Sequence, residues 1–185
     1  MVEMTVDSVR MNVESNQRVV ILKDPESERY LFIWIANPEA YSIALELQGA
    51  SPPRPLTHDL LKTVITELGG KLTSVIINDL VDDIFYARLV LDADGRHVEI
   101  DSRSSDAIAM AVRLKVGIFV SESVLERAGV TLQMAEEREE RAPRERSSAA
   151  SSTAGASSSS GAGYNLDVYR DFINGLDALD EFGKD

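Results

Sequence analysis

The first two thirds of the chain combine two hydrophobic periodicities, one typical of strands and one typical of helices. Val2, Met4 and Val6 alternate with polar residues, which predicts a half-buried strand. Apolar runs rich in β-branched and aromatic residues predict further strands at 18–23, 30–36, 71–79, 83–92 and 117–120. Because the run at 30–36 is apolar at every position, it predicts a central strand covered on both faces.

Four segments carry helical periodicity together with start and stop signals, at 37–49, 57–70, from 104 onwards, and at 121–129. The residues predicted to cap these helices are Asn37, Thr57, Ser104 or Ser105, and Ser121. In the second helix, the predicted buried face consists of five apolar residues: Leu60, Leu61, Val64, Ile65 and Leu68. We therefore expect this helix to pack on the rest of the domain through that face.

The dipeptide Asp94-Gly95 predicts a two-residue hairpin turn, which fixes the register of the strands on either side. The resulting opposite pairs are Leu91 with Val98 and Leu89 with Ile100 on one face, and Val90 with Glu99 and Arg88 with Asp101 on the other. A slip by one residue would turn the wrong face inward, so the register is a sharp prediction.

The order of these elements is β-β-β-α-α-β-β-β-α-β-α, which predicts an α+β domain at 1–132 with a mostly antiparallel or mixed sheet and packed helices. Residues 133–163 are charged and then rich in Ser, Ala and Gly, which predicts a disordered linker. Residues 164–185 place apolar side chains at three- and four-residue intervals among acidic ones, which predicts an acidic amphipathic helix. The sequence thus indicates a single domain plus a flexible acidic C-terminal tail.

The composition of the chain restricts which ligands and metal ions it can bind. The formal net charge of −12 argues against binding nucleic acid through overall charge, so such binding needs a local basic patch or a metal ion. The chain has no cysteine and two histidines, which excludes disulfides and thiolate zinc sites and disfavours a multi-histidine metal site. Neither a signal peptide nor an apolar run of membrane-spanning length is present, so we expect a cytoplasmic protein without a membrane segment.

Charged and small polar residues crowd the start of the third predicted helix, in the stretch "DSRSSD" at 101–106. Free amide groups at a helix N-terminus attract anions, and the guanidinium of Arg103 is a planar fork for phosphate. Asp101 and Asp106 are suited to holding a divalent cation or to activating water. Helix capping and structural ion pairing explain the same residues without any ligand, so both interpretations stay open.

A second polar cluster, "RPLTHD" at 54–59, stands at the start of the second predicted helix. His58 is the better candidate of the two histidines for acid–base chemistry, because Asp59 follows it and can tune it. Arg54 and Thr57 add a cation and a hydroxyl. An ordinary threonine cap with a polar first turn is the alternative interpretation.

Four stretches taken together resemble the bifunctional nuclease family of bacteria and plants: "YLFIWIANPEAYSIALELQG", "RPLTHDLL", "IINDLVDDIFYARLVL" and "IDSRSSDAIAMAVRL". The resemblance covers about residues 1–132 in order. It implies an α+β fold, cleavage of DNA and RNA, and assembly into dimers or larger oligomers. The polar motif positions fall on Arg54, Thr57, His58, Asp59, Asp101, Ser102, Arg103, Ser105 and Asp106. The chain departs from the family in having Ser104 where proline is usual and Asp83 where glycine is common.

From the residues and the resemblance together, we hypothesise a nuclease that hydrolyses phosphodiester bonds in DNA or RNA. The predicted catalytic residues are His58, Asp59, Asp101 and Asp106, and the predicted substrate-binding residues are Arg54, Thr57, Arg103 and Ser105. Asp101 and Asp106 are also the predicted ligands of Mg²⁺ or Mn²⁺.

The alternative hypothesis is a non-enzymatic, oligomeric module that binds a small anion or serves as a protein adaptor. In that hypothesis the polar clusters are structural, and residues 164–185 dock on a protein partner. The strong negative charge favours this alternative.

Overall fold

The computed structural model describes residues 1–11 and 17–131. The predicted linker at 133–163 and the predicted acidic helix at 164–185 lie outside the described residues. The described strands are β1 (Val2–Met11), β2 (Arg18–Lys23), β3 (Arg29–Ile35), β4 (Gly70–Val81), β5 (Ile84–Ala93), β6 (Arg96–Arg103), β7 (Gly117–Val120) and β8 (Gly129–Thr131). The described helices are α1 (Asn37–Leu47), α2 (Thr57–Glu67), α3 (Ser104–Leu114) and α4 (Glu122–Ala128).

The eight described strands form one mixed sheet in the order β6-β5-β4-β7-β1-β2-β3-β8. Neighbouring strands are antiparallel except β4 and β7, which run parallel. The predicted α+β fold with a mostly antiparallel or mixed sheet is therefore confirmed, and the strand β8 is added to the predicted order.

Helix α3 lies at the centre of the core. Its small side chains, among them Ala107, Ala109 and Ala111, are fully buried and let the helix approach the sheet closely. They pack with buried residues of α1, α4 and both halves of the sheet in one hydrophobic cluster. The start of α3, which directly follows β6, is thereby fixed in position.

The hairpin of β5 and β6 has the predicted register. Leu91 lies opposite Val98, and Arg88 lies opposite Asp101. Asp94 and Gly95 both have positive φ, at 54° and 76°, as a two-residue turn that follows the strand twist requires.

The turn between β4 and β5 also has an unusual backbone. Asp82 and Asp83 have positive φ, at 49° and 62°. Glycine adopts this conformation most easily, and aspartate is one of the few other residues that tolerate it.

Three details differ from the predictions. Strand β3 is buried on both faces over Tyr30–Ile33 but lies next to the short strand β8 near the edge of the sheet, so the prediction of a central strand was wrong. The residues that precede α1, α2 and α3 are Ala36, Leu56 and Arg103, so the predicted caps Asn37, Thr57 and Ser104 are instead the first helical residues. The Leu56 N–H donates to the Asp59 carboxylate over 2.8 Å, which satisfies a free amide at the start of α2.

The predicted buried face of α2 was wrong for four of its five residues, since only Ile65 packs against the core. Leu60, Leu61, Val64 and Leu68 are 59%, 37%, 43% and 80% exposed, and Ile65 is half-buried. His58 is the buried residue of this helix. Helix α2 is rotated so that its polar residues face α3, because they form hydrogen bonds there that the apolar residues cannot form.

None of the four described helices has the length and apolar character that crossing a membrane requires.

Candidate functional site

The two polar clusters predicted from the sequence meet at the adjacent starts of α2 and α3. His58 lies in the first turn of α2, and Asp106 lies in the first turn of α3. Nε2 of His58 forms a 3.0 Å hydrogen bond with Oδ1 of Asp106. Residues 48 positions apart are thus joined by one hydrogen bond. The site is built where two helix N-termini converge, an arrangement suited to binding an anion.

The imidazole of His58 is buried, and both of its ring nitrogens are engaged. Nδ1 lies 2.9 Å from Oγ of Ser42 on α1. Because an ionised Asp106 accepts the proton of Nε2, a neutral ring accepts the Ser42 hydroxyl proton at Nδ1. Ser42, His58 and Asp106 therefore form a chain of hydrogen bonds, but Ser42 is only 2% exposed and cannot attack a substrate. Its role in this chain is to hold the histidine ring.

The carboxylate of Asp106 also binds Arg103, the last residue of β6. Nε of Arg103 donates to Oδ2 over 2.7 Å, and Nη2 donates to Oδ1 over 3.1 Å. Nη2 donates as well to Oε1 of Glu39 on α1 over 2.6 Å. Among the described residues, Nη1 of Arg103 has no hydrogen-bond partner, and the Arg103 side chain is 66% exposed. The guanidinium is thus held on one edge and open on the other.

The hydrogen-bond partners of Asp106 and Arg103 determine the charge state of both side chains. Burial, the largest single influence on Asp106, raises the pKa of its carboxyl. The hydrogen bonds from Arg103 and His58, together with the positive charge of Arg103, outweigh burial, so the pKa of Asp106 lies below its ordinary value. Hydrogen bonds to Asp106 and then to Glu39 raise the pKa of the Arg103 guanidinium. Asp106 and Arg103 are both charged at neutral pH.

Asp59 belongs to a neighbouring ion pair. Its Oδ1 accepts a hydrogen bond from Nε of Arg113, on the last turn of α3, over 2.8 Å. Arg113 is buried and also donates to the backbone carbonyls of Ala109 and Ser42. Burial opposes ionisation of Asp59, but Arg113 and the Leu56 amide hold the pKa of its carboxyl below the ordinary value. These contacts join α2, α3 and α1, and they leave Asp59 engaged inside the domain.

Asp101 occupies an exposed position on β6, two residues before Arg103. Side chains at alternate positions of a strand share a face, so Asp101 and Arg103 project on the same side of β6. Asp101 lies opposite Arg88 in the ladder, and Arg103 lies opposite the partly exposed Tyr86. Arg88 pairs with Glu99 over 2.7 Å, and within the described part of the chain Asp101 makes no side-chain hydrogen bond or ion pair. Its carboxylate is open to a ligand.

The remaining predicted residues lie apart from this network. Arg54 and Thr57 are exposed at the approach to α2, and no contact with the other site residues is found for them in the described region. Ser105 is buried in the first turn of α3. Of the eight predicted site residues, the structure brings His58, Arg103 and Asp106 into direct contact.

The donor set around Asp106 does not fit a bound divalent cation. Among residues 1–11 and 17–131, no group of three or more His, Cys, Asp or Glu side chains is arranged to hold a metal ion. Both oxygens of Asp106 already accept hydrogen bonds from Arg103, and one also contacts His58. A cation at that carboxylate would have to displace a guanidinium.

The sequence interpretation missed three residues of the network. Glu39 and Ser42 lie on α1, in a stretch interpreted only as a capped helix. Arg113 lies in the last turn of the mostly apolar helix α3. The structure draws attention to Glu39, because its Oε2 is buried and has no hydrogen-bond partner among the described residues. In the sequence, the one available signal was a charged residue at the end of a helix otherwise made of small and apolar side chains.

The comparisons with known proteins give the family. The model of the bifunctional nuclease domain matches residues 20–133. Two Mycobacterium tuberculosis proteins, whose names say only that they are uncharacterized, are 45% identical over 130 residues, which is 70% of this chain and 77% of theirs.

Plant proteins also match. Bifunctional nuclease 1 of Oryza sativa subsp. indica is 28% identical over 127 aligned positions, with 60% of this chain and 38% of that protein covered. Bifunctional nuclease 2 of Oryza sativa subsp. japonica is 30% identical over 115 residues, which is 60% of this chain and 35% of that protein. The chain belongs to the bifunctional nuclease domain family.

Proposed function

We propose that this protein hydrolyses phosphodiester bonds in DNA or RNA at the junction of β6 and α3. The observation that carries the proposal is the contact of His58 and Arg103 with the same carboxylate, that of Asp106. Two polar helix starts that are far apart in sequence thereby form one cluster with an exposed guanidinium. The two rice relatives are named bifunctional nucleases, which supports the same activity.

Arg103 is the residue that binds the scissile phosphate. Because Asp106 and Glu39 hold its Nε and Nη2, the side chain loses little freedom when Nη1 donates to a phosphate oxygen. The amides of the first turn of α3 add partial positive charge beside it. Tyr86, opposite Arg103 in the ladder, offers an aromatic face on which a neighbouring base stacks.

Asp101 orients or deprotonates the attacking water. It is the exposed carboxylate of the cluster, it shares a strand face with Arg103, and it has no competing partner among the described residues. A carboxylate in this position draws a proton from water as the new phosphorus–oxygen bond forms, while the bond to the leaving sugar oxygen breaks and that oxygen takes a proton from solvent.

His58 and Asp106 act behind this surface as positioning residues. Ser42 orients His58, His58 orients Asp106, and Asp106 holds Arg103. A direct acid–base role for His58 stays a prediction, since it requires the ring to leave one of its two partners. The predicted role of Arg54 and Thr57 in substrate binding likewise stays a prediction, as does a requirement for Mg²⁺ or Mn²⁺.

The test is cleavage of end-labelled single-stranded DNA and RNA by purified protein, with Mg²⁺, with Mn²⁺ and with a chelator. Asp101→Asn and Asp106→Asn are compared with Asp7→Asn, which changes an exposed carboxylate on β1, four strands away from β6 in the sheet. We expect Asp101→Asn to lower the cleavage rate about 100-fold, as the loss of a general base does, and Asp7→Asn to leave it unchanged. Equal product from all four proteins would show that the activity is a contaminant.

One observation favours a second candidate function, a non-enzymatic module that binds an anion. The buried His58 is engaged at both ring nitrogens and Asp106 is held by Arg103, so neither side chain is free to transfer a proton. Calorimetry with a mononucleotide separates the two functions: binding abolished by Arg103→Ala, without turnover by the wild type, would support the anion-binding module.

The setting of the proposed activity is also a prediction. We propose a cytoplasmic enzyme that assembles with copies of itself. Residues 164–185, for which a protein partner is predicted, lie outside the described residues, and that partner stays a prediction.

A further inference from the structure

A small cavity lies between the C-terminal half of α1, the loop that follows it and the start of α2. Its volume is about 260 Å³. Pockets that take drug-sized ligands have roughly 300–1,000 Å³, so this cavity suits a smaller ligand, of the size of one nucleobase. Arg103, Asp101 and Tyr86 do not line it, so it is separate from the surface proposed to bind the scissile phosphate.

Arg113 gives the cavity a buried cation with unused donors. Its side chain is 3% exposed. Nε donates to Asp59, Nη1 to the carbonyl of Ala109 and Nη2 to the carbonyl of Ser42. An arginine has five N–H donors, so one N–H on each terminal nitrogen has no partner among the described residues. A buried donor without a partner is costly, and an acceptor atom in the cavity would remove that cost.

Glu46 gives the cavity an acceptor. It is a half-buried residue of α1, and in the part of the chain that the structure describes no hydrogen bond or ion pair is found for its carboxylate. Asp59 also lines the cavity, but it is already paired with Arg113. The ligand that satisfies both Glu46 and Arg113 therefore carries N–H donors next to an acceptor.

The rest of the wall is mostly apolar. Leu45 lies on α1, and Pro52 and Pro55 lie in the loop before α2. Apolar side chains of this kind remove the faces of a flat ring from water, while the polar residues contact its edge.

We propose that this cavity binds a guanine base. The Watson–Crick edge of guanine carries N1–H and the N2 amino group side by side, which match the two oxygens of the Glu46 carboxylate. O6 lies next to them and accepts an N–H of Arg113. Adenine, cytosine and uracil each carry one donor group on that edge, so none of them engages both carboxylate oxygens.

The base belongs either to a free nucleotide or to a nucleic-acid strand. Asp106 and Arg113 are seven residues apart on the same side of α3, which is about 10 Å along the helix axis. A strand with a phosphate at Arg103 therefore has a base near the cavity. The strand form rests on the proposed function, whereas binding of a free nucleotide does not.

Calorimetry of the full chain with guanosine monophosphate and with inosine monophosphate tests the proposal. The two nucleotides differ only in the N2 amino group, so any contribution of the phosphate is the same for both. We expect the wild type to bind the guanosine nucleotide about tenfold more tightly, as one hydrogen bond to a charged group gives. Glu46→Gln should abolish this preference. Glu67→Gln, which changes an exposed carboxylate in the last turn of α2, should keep it.

Three results would overturn the proposal: no binding of either nucleotide, equal affinity of the wild type for both, and a preference that survives Glu46→Gln. The first two need no variant, so they decide the matter even if Glu46→Gln does not fold, which circular dichroism checks.

Fluorescence anisotropy identifies the source of the base. A labelled oligothymidine strand with one guanine is compared with the same strand carrying hypoxanthine at that position. Tighter binding of the guanine strand, lost in Glu46→Gln, would assign the cavity to a strand. Equal binding of both strands, with the guanosine nucleotide still preferred, would assign it to a free nucleotide. Neither measurement requires cleavage, so a failure of the proposed nuclease activity is distinguished from a failure of this proposal.

Discussion

Helices α2 and α3 have the same length and both begin with polar residues, but they differ in how many side chains they bury. Each has eleven residues. Helix α3 buries most of its side chains among α1, the sheet and α2, whereas α2 buries only His58. Polar contacts attach α2 to α3, namely His58 with Asp106, Asp59 with Arg113, and Lys62 with the Arg113 carbonyl. Helix α2 is therefore positioned by these polar contacts and by Ile65, which packs against the core, while most of its other apolar residues stay exposed.

The largest effect expected from this contrast is on stability. Ile108→Ala removes a fully buried side chain of α3 and should lower the free energy of unfolding by about 3–4 kcal/mol. Leu60→Ala on α2 should lower it by less than about 1 kcal/mol, because Leu60 is already exposed. Urea unfolding of the wild type and of both variants, at the same protein concentration, measures the difference. Equal losses would contradict the different packing of the two helices.

A smaller loss is expected where the two helices are joined. Arg113→Met removes the buried partner of Asp59 and the two hydrogen bonds from the guanidinium to backbone carbonyls, so we expect a loss of about 2–3 kcal/mol. Arg127→Met is the control, because Arg127 is an exposed residue in a loose 3.8 Å pair and should cost under about 0.5 kcal/mol. A loss no greater than that of the control would show that Arg113 does not fasten α2.

The smallest effect is the dependence of stability on pH. The pKa of Asp106 and the pKa of Asp59 are lower in the folded chain than the ordinary value of 3.8. Their contribution to stability is therefore complete above about pH 5 and is lost as the pH falls through the folded pKa values. The difference in unfolding free energy between wild type and Asp106→Asn should shrink as the pH is lowered from 6 towards about 3. A difference that stays constant over this range would contradict the lowered pKa of Asp106.

The sequence predicted those features that depend on neighbouring residues. Asp94-Gly95 set the β5–β6 register, because a turn with two positive φ values admits few other residues. The β-branched and aromatic runs located the strands for the same local reason.

Features that depend on distant residues were not predictable from local pattern. The apolar stripe of α2 was assigned to the core because periodicity shows that a helix is amphipathic, but not which side the domain covers. Glu39 and Ser42 were missed because their partners lie far along the chain, and only the fold brings them to Arg103 and His58. The two polar clusters were found, but their convergence on Asp106 needed coordinates.

The role of Arg103 is the central claim about function, and one kinetic comparison tests it most directly. Under single-turnover conditions on a labelled single strand, we expect Arg103→Ala to cleave about 100-fold more slowly than wild type, as the loss of one preorganised donor to a developing charge does. Arg96→Ala, which removes an exposed arginine at the other end of β6, should cleave at the wild-type rate. Equal rates for all three proteins would contradict the claim that the junction of β6 and α3 binds the scissile phosphate.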